Sequence, residues 1–337
     1  MSIRLRKTGQ IEVLPDWALP IAGELESVAK IWDDVLASDV IQAREISMHL
    51  FAAGGKRIRP CLVMLSAGAA SGSADDPRVL RLAAAVELMH AASLMHDDVV
   101  DQTHERRGVT TTNWVWGNKL SVLAGDYLIA RAFSLVAQEP EPAINHILSS
   151  TAVVISESEI LQAASEGSFA AWEANYDKII DGKTARFLSA CCECGAIAVG
   201  ADDTTRTALA AYGQKVGLAF QITDDLLDVT GSPLLTGKDV GTDLTQGKFT
   251  LPILLALDML PSAERDRMLE LVGKRFLSAE EAAEAAALAL ECGATNEARA
   301  IAESYVSDAV KEIVGLTESA YTESLRLVAR FVLERNA

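Results

Sequence analysis

The chain has 337 residues, 50% of them hydrophobic, and a formal net charge of −17 at pH 7. This acidic balance argues against general nucleic-acid binding, which needs a basic surface to neutralise phosphates. It does not exclude small anionic ligands, because salt screens charges beyond about 10 Å and a local cluster decides what a pocket binds.

Helices are predicted along the whole chain, because alanine and leucine dominate long stretches and aromatic residues make up only 5% of it. Alanine and unbranched side chains lose little conformational freedom in a helix, so we predict an all-α protein. No linker or change of composition divides the chain, and residues 1–337 are therefore predicted to form a single domain. The predicted helices cover residues 17–38, 40–52, 57–70, 79–101, 118–137, 143–165, 174–199, 203–230, 248–258, 263–273, 279–291, 293–314 and 318–334.

No targeting or membrane segment is predicted. The N-terminal residues lack the apolar core of a signal peptide, and no uninterrupted apolar run reaches the roughly 20 residues that span a bilayer. The sequence therefore predicts a soluble, cytoplasmic protein.

Two segments carry the acidic pattern DDxxD at the C-terminal end of a long predicted helix: LMHDDVVD at 94–101 and QITDDLLD at 221–228. Residues three or four apart share one face of a helix, so the carboxylates repel one another unless a cation neutralises them. Mg²⁺ takes oxygen ligands and commonly joins one or two carboxylates to substrate phosphates. One copy is explained equally well by a solvated acidic turn, but two copies favour a metal site for a diphosphate. The candidate ligands are Asp97, Asp98, Asp101, Asp224, Asp225 and Asp228.

Basic residues accompany both acidic motifs. Arg106 and Arg107 follow Asp101 closely, and Lys56 and Arg59 are three apart at the start of a predicted helix. Arginine makes planar bidentate contacts with phosphates, and lysine provides a point charge. Each of these residues alone is explained by a solvated surface, but together they suit a ligand that carries phosphates. The further basic candidates are Lys183, Lys238 and Lys248.

The cysteine-rich segment Cys191-Cys192-Glu193-Cys194 could indicate a metal site. No second cysteine pair or histidine pair accompanies it at the spacing that zinc sites need. The segment is otherwise apolar and rich in alanine, so we predict buried thiols.

These motifs resemble those of the trans-prenyl diphosphate synthases, or polyprenyl synthetases. The resemblance rests on GGKRIRP at 54–60, ELMHAASLMHDDVVDQTHERRG at 87–108, GKT at 182–184, FQITDDLLD at 220–228 and GKDVGTDLTQGKFTLP at 237–252. It implies a helical bundle around a deep central cavity, of the isoprenoid synthase type, and usually a homodimer. It also implies sequential head-to-tail 1'-4 condensation of isopentenyl diphosphate with an allylic diphosphate, which gives an all-trans polyprenyl diphosphate and diphosphate.

The resemblance also implies a role for each candidate. The six aspartates would bind roughly two or three Mg²⁺ ions against the allylic diphosphate, and these aspartates and Lys183 would be catalytic. His90 alone on an apolar helix is more often a buried core residue, but its place two turns before Asp97 favours a role in the site. The residues expected to bind isopentenyl diphosphate are Lys56, Arg59, His90 and Arg107. Those expected on the allylic side are Arg106, Lys183, Thr184, Gln221, Lys238 and Lys248.

The mechanism implied is ionisation followed by addition. Metal and cations stabilise the leaving diphosphate, and an allylic carbocation forms in a cavity that excludes water. The isopentenyl double bond attacks this cation, and the released diphosphate takes the proton. Thr184 and Gln221 would supply oxygen dipoles near the cation.

Product length is predicted from the helix that carries Asp97. Residues four or five positions upstream lie about 6–7.5 Å deeper, on the order of one isoprene unit. Ala92 and Ser93 are small there, so this level is expected to be open. Met89, one turn deeper, is flexible enough to form a soft floor or to move aside. The spacing predicts a medium or long product of roughly C30 to C50, and Ala92→Phe is expected to shorten it.

Three alternatives remain at this point: a class I terpene cyclase, a catalytically silent regulatory subunit of a heteromeric synthase, and a metal-dependent phosphohydrolase. A cyclase is not expected to carry GGKRIRP or a second DDxxD, and a silent subunit would typically have lost aspartates that this chain keeps. Farnesyl or geranylgeranyl diphosphate is the expected primer, and a peripheral membrane contact would serve product release.

Overall fold

The computed structural model describes residues 3–5, 11–231 and 241–334. The prediction of an all-α protein is confirmed, since the strands in these ranges form only two short antiparallel hairpins. These strands are β1 (Ile3–Leu5), β2 (Ile11–Val13), β3 (Glu105–Arg106) and β4 (Val109–Thr110). None of the helices within the described ranges combines the length and hydropathy needed to cross a bilayer.

The helix bounds follow the predicted segments closely, apart from short elements. A 3₁₀ helix (Asp16–Ile21) precedes α1, and one turn of π-helix (Asp181–Ala185) joins α8 to α9. The first eight α-helices are α1 (Ala22–Val35), α2 (Ile41–Ala52), α3 (Ile58–Ser71), α4 (Pro77–Val100), α5 (Thr112–Trp116), α6 (Asn118–Val136), α7 (Pro142–Ser165) and α8 (Phe169–Ile180). The others are α9 (Arg186–Ala198), α10 (Asp203–Thr230), α11 (Thr242–Thr245), α12 (Leu251–Met259), α13 (Ser262–Val272), α14 (Ala279–Glu291), α15 (Ala294–Glu312) and α16 (Ala320–Leu333).

The chain divides into two compact units, each assembled from three segments. Unit 1 comprises Met1–Leu148, Cys191–Thr207 and Leu316–Leu325, and unit 2 comprises Ser149–Ala190, Ala208–Gly315 and Arg326–Ala337. The prediction that residues 1–337 form one domain stays a prediction.

Helix α4 is the centre of unit 1 and packs against α1, α3 and α6. It begins at Pro77, where the Asp76 side chain accepts a hydrogen bond from the backbone N–H of Arg78 at 2.8 Å and caps the first turn. A helix that is apolar all round belongs in a core, and Leu82–Met89 are all buried. Packing therefore fixes the helix whose last turn carries Asp97 and Asp98.

The core of unit 2 is an apolar cluster contributed by α8, α10 and α12–α15. Helix α10 buries Ile222, Leu226 and Val229 in it, at the spacing of a single helix face. Helix α14 begins with a capping box, in which Ser278 and Glu281 each bond the other's backbone N–H. The cluster therefore fixes the orientation of α10, which carries the second acidic motif.

The cysteines of the CCEC segment are buried free thiols on α9. Burial raises the pKa of Cys192 to about 12, so this thiol stays protonated at neutral pH. The structure agrees with the prediction of buried thiols at this segment.

Candidate active site

The first acidic motif closes helix α4. Asp97 and Asp98 lie in its last turn, and Asp101 is the C-cap residue, whose N–H bonds the Asp97 carbonyl at 2.8 Å. Asp97 and Asp101 are partly exposed, whereas Asp98 is only 1% exposed. Arg106 in strand β3 reaches back to the Asp98 carboxylate, with Nε at 2.8 Å and an Nη atom at 2.7 Å from the same oxygen. The middle aspartate is thus held inside the protein, and the outer two lie at its rim.

A cluster of cations surrounds His90 in unit 1. Burial lowers the pKa of His90 well below its usual value, and four neighbouring guanidinium groups lower it further. The imidazole is therefore neutral at pH 7 and can donate or accept a hydrogen bond. Such a concentration of positive charge suits a polyanionic ligand. The guanidinium groups belong to Arg57, Arg59, Arg106 and Arg107.

The glycine pair of GGKRIRP makes room for Arg107. This guanidinium donates a hydrogen bond to the Gly54 carbonyl. A Cβ atom on Gly55 would lie 2.3 Å from Nη1 of Arg107, and Gly55 has a φ of +141°, which disfavours any other residue. Arg57, Gln102 and Arg107 also have positive φ values. Non-glycine residues rarely adopt this region, and such strain is typical of functional sites.

Arg57, one member of the cation cluster, is held in place by an ion pair, a backbone hydrogen bond and two aromatic rings. It forms an ion pair with the buried Glu87 at 2.5 Å and donates to the Phe51 carbonyl at 3.0 Å. Its guanidinium carbon lies 5.0 Å from the ring centroid of Trp32 and 5.1 Å from that of Phe51, within the range of cation–π attraction. Sequence reasoning gave neither Arg57 nor Glu87 a role, although both lie inside recognised motifs.

The second acidic motif lies inside helix α10, in unit 2. Asp225 is 3% exposed; its Oδ2 accepts from the Tyr176 hydroxyl at 2.6 Å and its Oδ1 from Gln221 Nε2 at 3.2 Å. Burial raises the pKa of Asp225 to about 8, and the negative charge of Asp243 adds to this effect. Asp224 and Asp228 are partly exposed.

The predicted allylic-side residues of unit 2 lie on three elements. Lys183 lies in the π-helical turn, where its Nζ contacts Glu159 at 2.9 Å and Gln162 at 3.3 Å. Thr184 follows it and donates from Oγ1 to Gln221 Oε1 at 2.9 Å. Lys248 is buried, and Lys238 lies outside the described residues.

A glycine before Lys183 is required by the packing of the π-helical turn. A Cβ atom on Gly182 would lie 1.8 Å from Ser158 Oγ. The turn therefore fits closely against α7, and a π-helical turn is a feature often found at functional sites. Sequence periodicity predicted a continuous helix over 174–199 and missed this turn.

Comparison with known proteins identifies the family. The polyprenyl synthetase family model matches residues 41–289. The chain belongs to the polyprenyl synthetase family. A relative from Methanothermobacter thermautotrophicus, a short chain isoprenyl diphosphate synthase, is 36% identical over 92% of this chain and 94% of its own. Heptaprenyl diphosphate synthase component 2 from Geobacillus stearothermophilus is 36% identical over 94% of this chain and 97% of its own.

Solved structures of the family share the fold. A decaprenyl diphosphate synthase from Rhodobacter capsulatus superposes with a TM-score of 0.89 at 35% identity, covering 96% of this chain and 100% of the other. A polyprenyl synthase from Caulobacter crescentus CB15, complexed with calcium and isoprenyl diphosphate, gives 0.88 at 34% identity and covers 96% and 98%. This polyprenyl synthetase is therefore a prenyltransferase that elongates prenyl chains. The comparisons favour this function over the two alternatives of a class I terpene cyclase and a catalytically silent subunit.

The carboxylates of this synthetase fit a metal that is shared with substrate. Within residues 3–5, 11–231 and 241–334, no group of three or more His, Cys, Asp and Glu side chains is gathered closely enough to enclose a metal ion. Mg²⁺ does not need such a cage, because it keeps several waters and binds through one or two carboxylates together with substrate phosphates. The partly exposed outer aspartates of each motif, about one helical turn apart, suit that mode.

Two residues of the second motif's surroundings were missed by sequence reasoning. Tyr176 was hidden in an apolar helical pattern, seven positions before Lys183. Asp243 contacts the motif through its backbone, since its N–H bonds Asp228 Oδ2 at 3.1 Å. Asp243 lies within the recognised segment at 237–252, so this acidic residue could have been noticed there.

The residues predicted to control product length lie along α4. Ala92 and Met89 are buried and Ser93 is partly buried, with the Ser93 hydroxyl bonded to the His90 carbonyl at 2.9 Å. Their role in product length stays a prediction.

Proposed function

We propose that this prenyltransferase is Mg²⁺-dependent and that the six aspartates of the two DDxxD motifs form the binding site for the metal and the allylic diphosphate. The outer pairs, Asp97 with Asp101 and Asp224 with Asp228, would bind the metal directly. The observation that carries this proposal is the arrangement common to both motifs, in which the outer carboxylates are partly exposed and the middle one is buried. Bound Mg²⁺ would supply neutralisation of the charge that develops on the departing diphosphate.

Isopentenyl diphosphate is proposed to bind at the cation cluster of unit 1. Arg59 and Arg107 would pair with its phosphates, and Lys56, which is exposed two residues before α3, would add a point charge. The neutral imidazole of His90 would accept or donate one hydrogen bond without adding charge. Arg57 would hold the cluster in place through its ion pair with Glu87.

The allylic diphosphate is proposed to meet Lys183, Lys248 and Arg106, with Lys238 expected beside them. Heterolysis of the C1–O bond leaves a cationic allylic carbon, and Thr184 and Gln221 would turn oxygen atoms towards it. The electron pair of the isopentenyl double bond forms the new C–C bond. The proton lost from the adduct passes to the released diphosphate, which is the strongest base produced in the reaction.

We further propose a product of roughly C30 to C50, grown from farnesyl or geranylgeranyl diphosphate, with Ala92, Ser93 and Met89 along the growing chain.

A homodimer is proposed because α5 and α6 expose apolar side chains, including Trp114 at 57% and Leu123 at 53%, which a second copy would cover. The enzyme would act in the cytoplasm, with peripheral membrane contact for product release.

Incubation of the enzyme with MgCl₂, labelled isopentenyl diphosphate and primers of several lengths tests this proposal. Elongation should require the metal, and removal of metal with EDTA should abolish it until MgCl₂ is restored. Asp97→Ala and Asp224→Ala should each lower the rate by about 10³-fold or more, because each removes a ligand that stabilises the leaving group. Circular dichroism should show the helical fold intact. Full turnover in either variant would overturn the assignment of that motif.

A further inference from the structure

Tyr176 is a buried polar residue beside the second motif that the mechanism above does not use. It lies on α8 and is 4% exposed. Its ring packs in the apolar cluster of unit 2, and its hydroxyl reaches Asp225 Oδ2 at 2.6 Å. The hydroxyl is the donor in this contact, and the carboxyl oxygen of Asp225 accepts the hydrogen bond.

The hydrogen bonds that continue from Asp225 all run in one direction. Asp225 Oδ1 accepts from the Gln221 amide nitrogen, so the Gln221 amide oxygen points the other way and accepts from the Thr184 hydroxyl. An amide presents a donor on one side and an acceptor on the other, so a carboxylate at one end dictates what the other end offers. The hydroxyl hydrogen of Thr184 is thus directed towards Gln221.

A hydroxyl whose hydrogen is held in this way presents oxygen lone pairs to its other neighbours. Lone pairs stabilise an adjacent positive charge, whereas a hydroxyl hydrogen directed the same way would destabilise it. The polarity of the Thr184 oxygen therefore depends on the carboxylate of Asp225 keeping its orientation. Two donors fix that orientation, one on each oxygen, and Tyr176 is the shorter of the two contacts.

We infer that Tyr176 is a positioning residue for the elongation reaction: by holding Asp225, it fixes Gln221 and so turns the Thr184 oxygen towards the developing allylic cation. This inference rests on the proposed function, which places Thr184 beside that cation. It assigns to Asp225 an internal role, as the acceptor that sets the direction of the hydrogen bonds. Without the Tyr176 hydroxyl, the carboxylate can rotate about its Cβ–Cγ bond, and the Gln221 amide loses its fixed acceptor.

Tyr176→Phe removes the hydroxyl and keeps the ring in the apolar cluster. We expect kcat to fall by about 10- to 100-fold, the range for leaving one buried polar group without its hydrogen-bond donor. The KM for isopentenyl diphosphate should not change, because its proposed ligands lie in unit 1. Tyr305→Phe is the matched control, since Tyr305 packs against the same cluster, and it should keep the wild-type kcat. Equal kcat values for Tyr176→Phe and Tyr305→Phe would overturn the inference. A rise in the KM of Tyr176→Phe for isopentenyl diphosphate with no fall in its kcat would also overturn it.

A double-mutant cycle separates this positioning role from general damage to the fold. Thr184→Val removes the hydroxyl at the other end of the hydrogen-bonded series. If Tyr176 acts through Thr184, adding Tyr176→Phe to Thr184→Val should lower kcat less than it does in the wild type. Gln221→Leu, which interrupts the series in the middle, should mask the effect of Tyr176→Phe in the same way. Fully additive losses in both backgrounds would contradict the inference.

A binding measurement without turnover distinguishes this inference from the proposed function. Inorganic pyrophosphate with MgCl₂ should raise the Tm of the wild type and of Tyr176→Phe equally, because the outer aspartates remain. Asp224→Ala should lose this shift. If Tyr176→Phe lost it as well, Tyr176 would act on diphosphate binding and the inference would fail. If Asp224→Ala kept both the shift and its activity, the proposed function itself would fail.

Discussion

Asp98 and Asp225 occupy the same position in the two DDxxD motifs, and both are almost completely buried. Their partners differ in charge. Asp98 is held by the guanidinium of Arg106, whereas Asp225 is held by a phenol and an amide. Burial raises the pKa of both carboxyls, but the Arg106 cation opposes this at Asp98, and Asp225 reaches about 8. The motif therefore sets the spacing of the carboxylates, whereas their tertiary partners set the charge state of the buried carboxyl.

Removing the cation from the first motif should have the largest effect. Arg106→Gln leaves a buried carboxylate without its counter-ion, and breaking a buried ion pair in this way costs about 3 kcal/mol of stability. The measurement is the free energy of unfolding in urea at pH 7, without metal or substrate.

The double variant Asp98→Asn/Arg106→Gln provides the control for this prediction. It should recover much of the lost stability, because the amide leaves no buried charge to neutralise. If the double variant were as unstable as Arg106→Gln alone, the loss would come from Arg106 packing, and the contrast with Asp225 would disappear.

The neutral partners of the second motif predict a dependence of stability on pH. Asp225 has a folded pKa of about 8, whereas an unfolded aspartate has a pKa of about 3.9. Between these values the folded state binds more protons, so the free energy of unfolding should decrease as pH rises, by up to about 1.4 kcal/mol per pH unit. Below this window the stability contributed by the protonated form is fully present.

Urea unfolding of the metal-free protein at pH 5, 6, 7 and 8 measures this slope. Asp225→Asn should flatten it, and Asp98→Asn should change it less because Arg106 favours the ionised form. An unchanged slope in Asp225→Asn would show that another group titrates instead.

A smaller effect is expected from the glycine that admits Arg107. Gly55→Ala introduces a Cβ that would lie 2.3 Å from the guanidinium at an unfavourable φ, so Arg107 must move. We expect the KM for isopentenyl diphosphate to rise about tenfold with little change in kcat, equivalent to about 1.4 kcal/mol. Gly23→Ala is the control, because nothing lies within 4 Å of the added Cβ. Equal KM values for the two variants would separate Gly55 from substrate binding.

Much of the fold could be predicted from helical periodicity. The helix predicted over 203–230 is observed as Asp203–Thr230, and the one predicted over 79–101 as Pro77–Val100. Both have long apolar faces, and a capping Asp76 marks the start of the second. The helix predicted over 174–199 contains the π-helical turn Asp181–Ala185. The π-helical turn leaves no periodic signal in the sequence, and its close packing against α7 at Gly182 is seen only in the structure.

The candidate site was predictable to the extent that its chemistry is local. The spacing of the aspartates and the Lys-Thr pair can be identified from the sequence, and the resemblance supplied roles for the cations. The contacts that make Asp98 and Asp225 different cannot be identified from the sequence, since Tyr176 lies 49 positions from its carboxylate partner. Such long-range partners are set by how helices pack, and residue spacing along one helix does not reveal them.

The backbone at Arg107 places stability and activity in conflict. Its φ of +55° is a conformation that glycine adopts without strain and that other residues adopt at a cost of about 1–2 kcal/mol. A selection for thermal tolerance alone would therefore favour glycine there and would discard the cation that we propose binds isopentenyl diphosphate. Stabilised forms of this enzyme should accordingly be sought by substitutions far from Arg107, with this arginine held constant in any library.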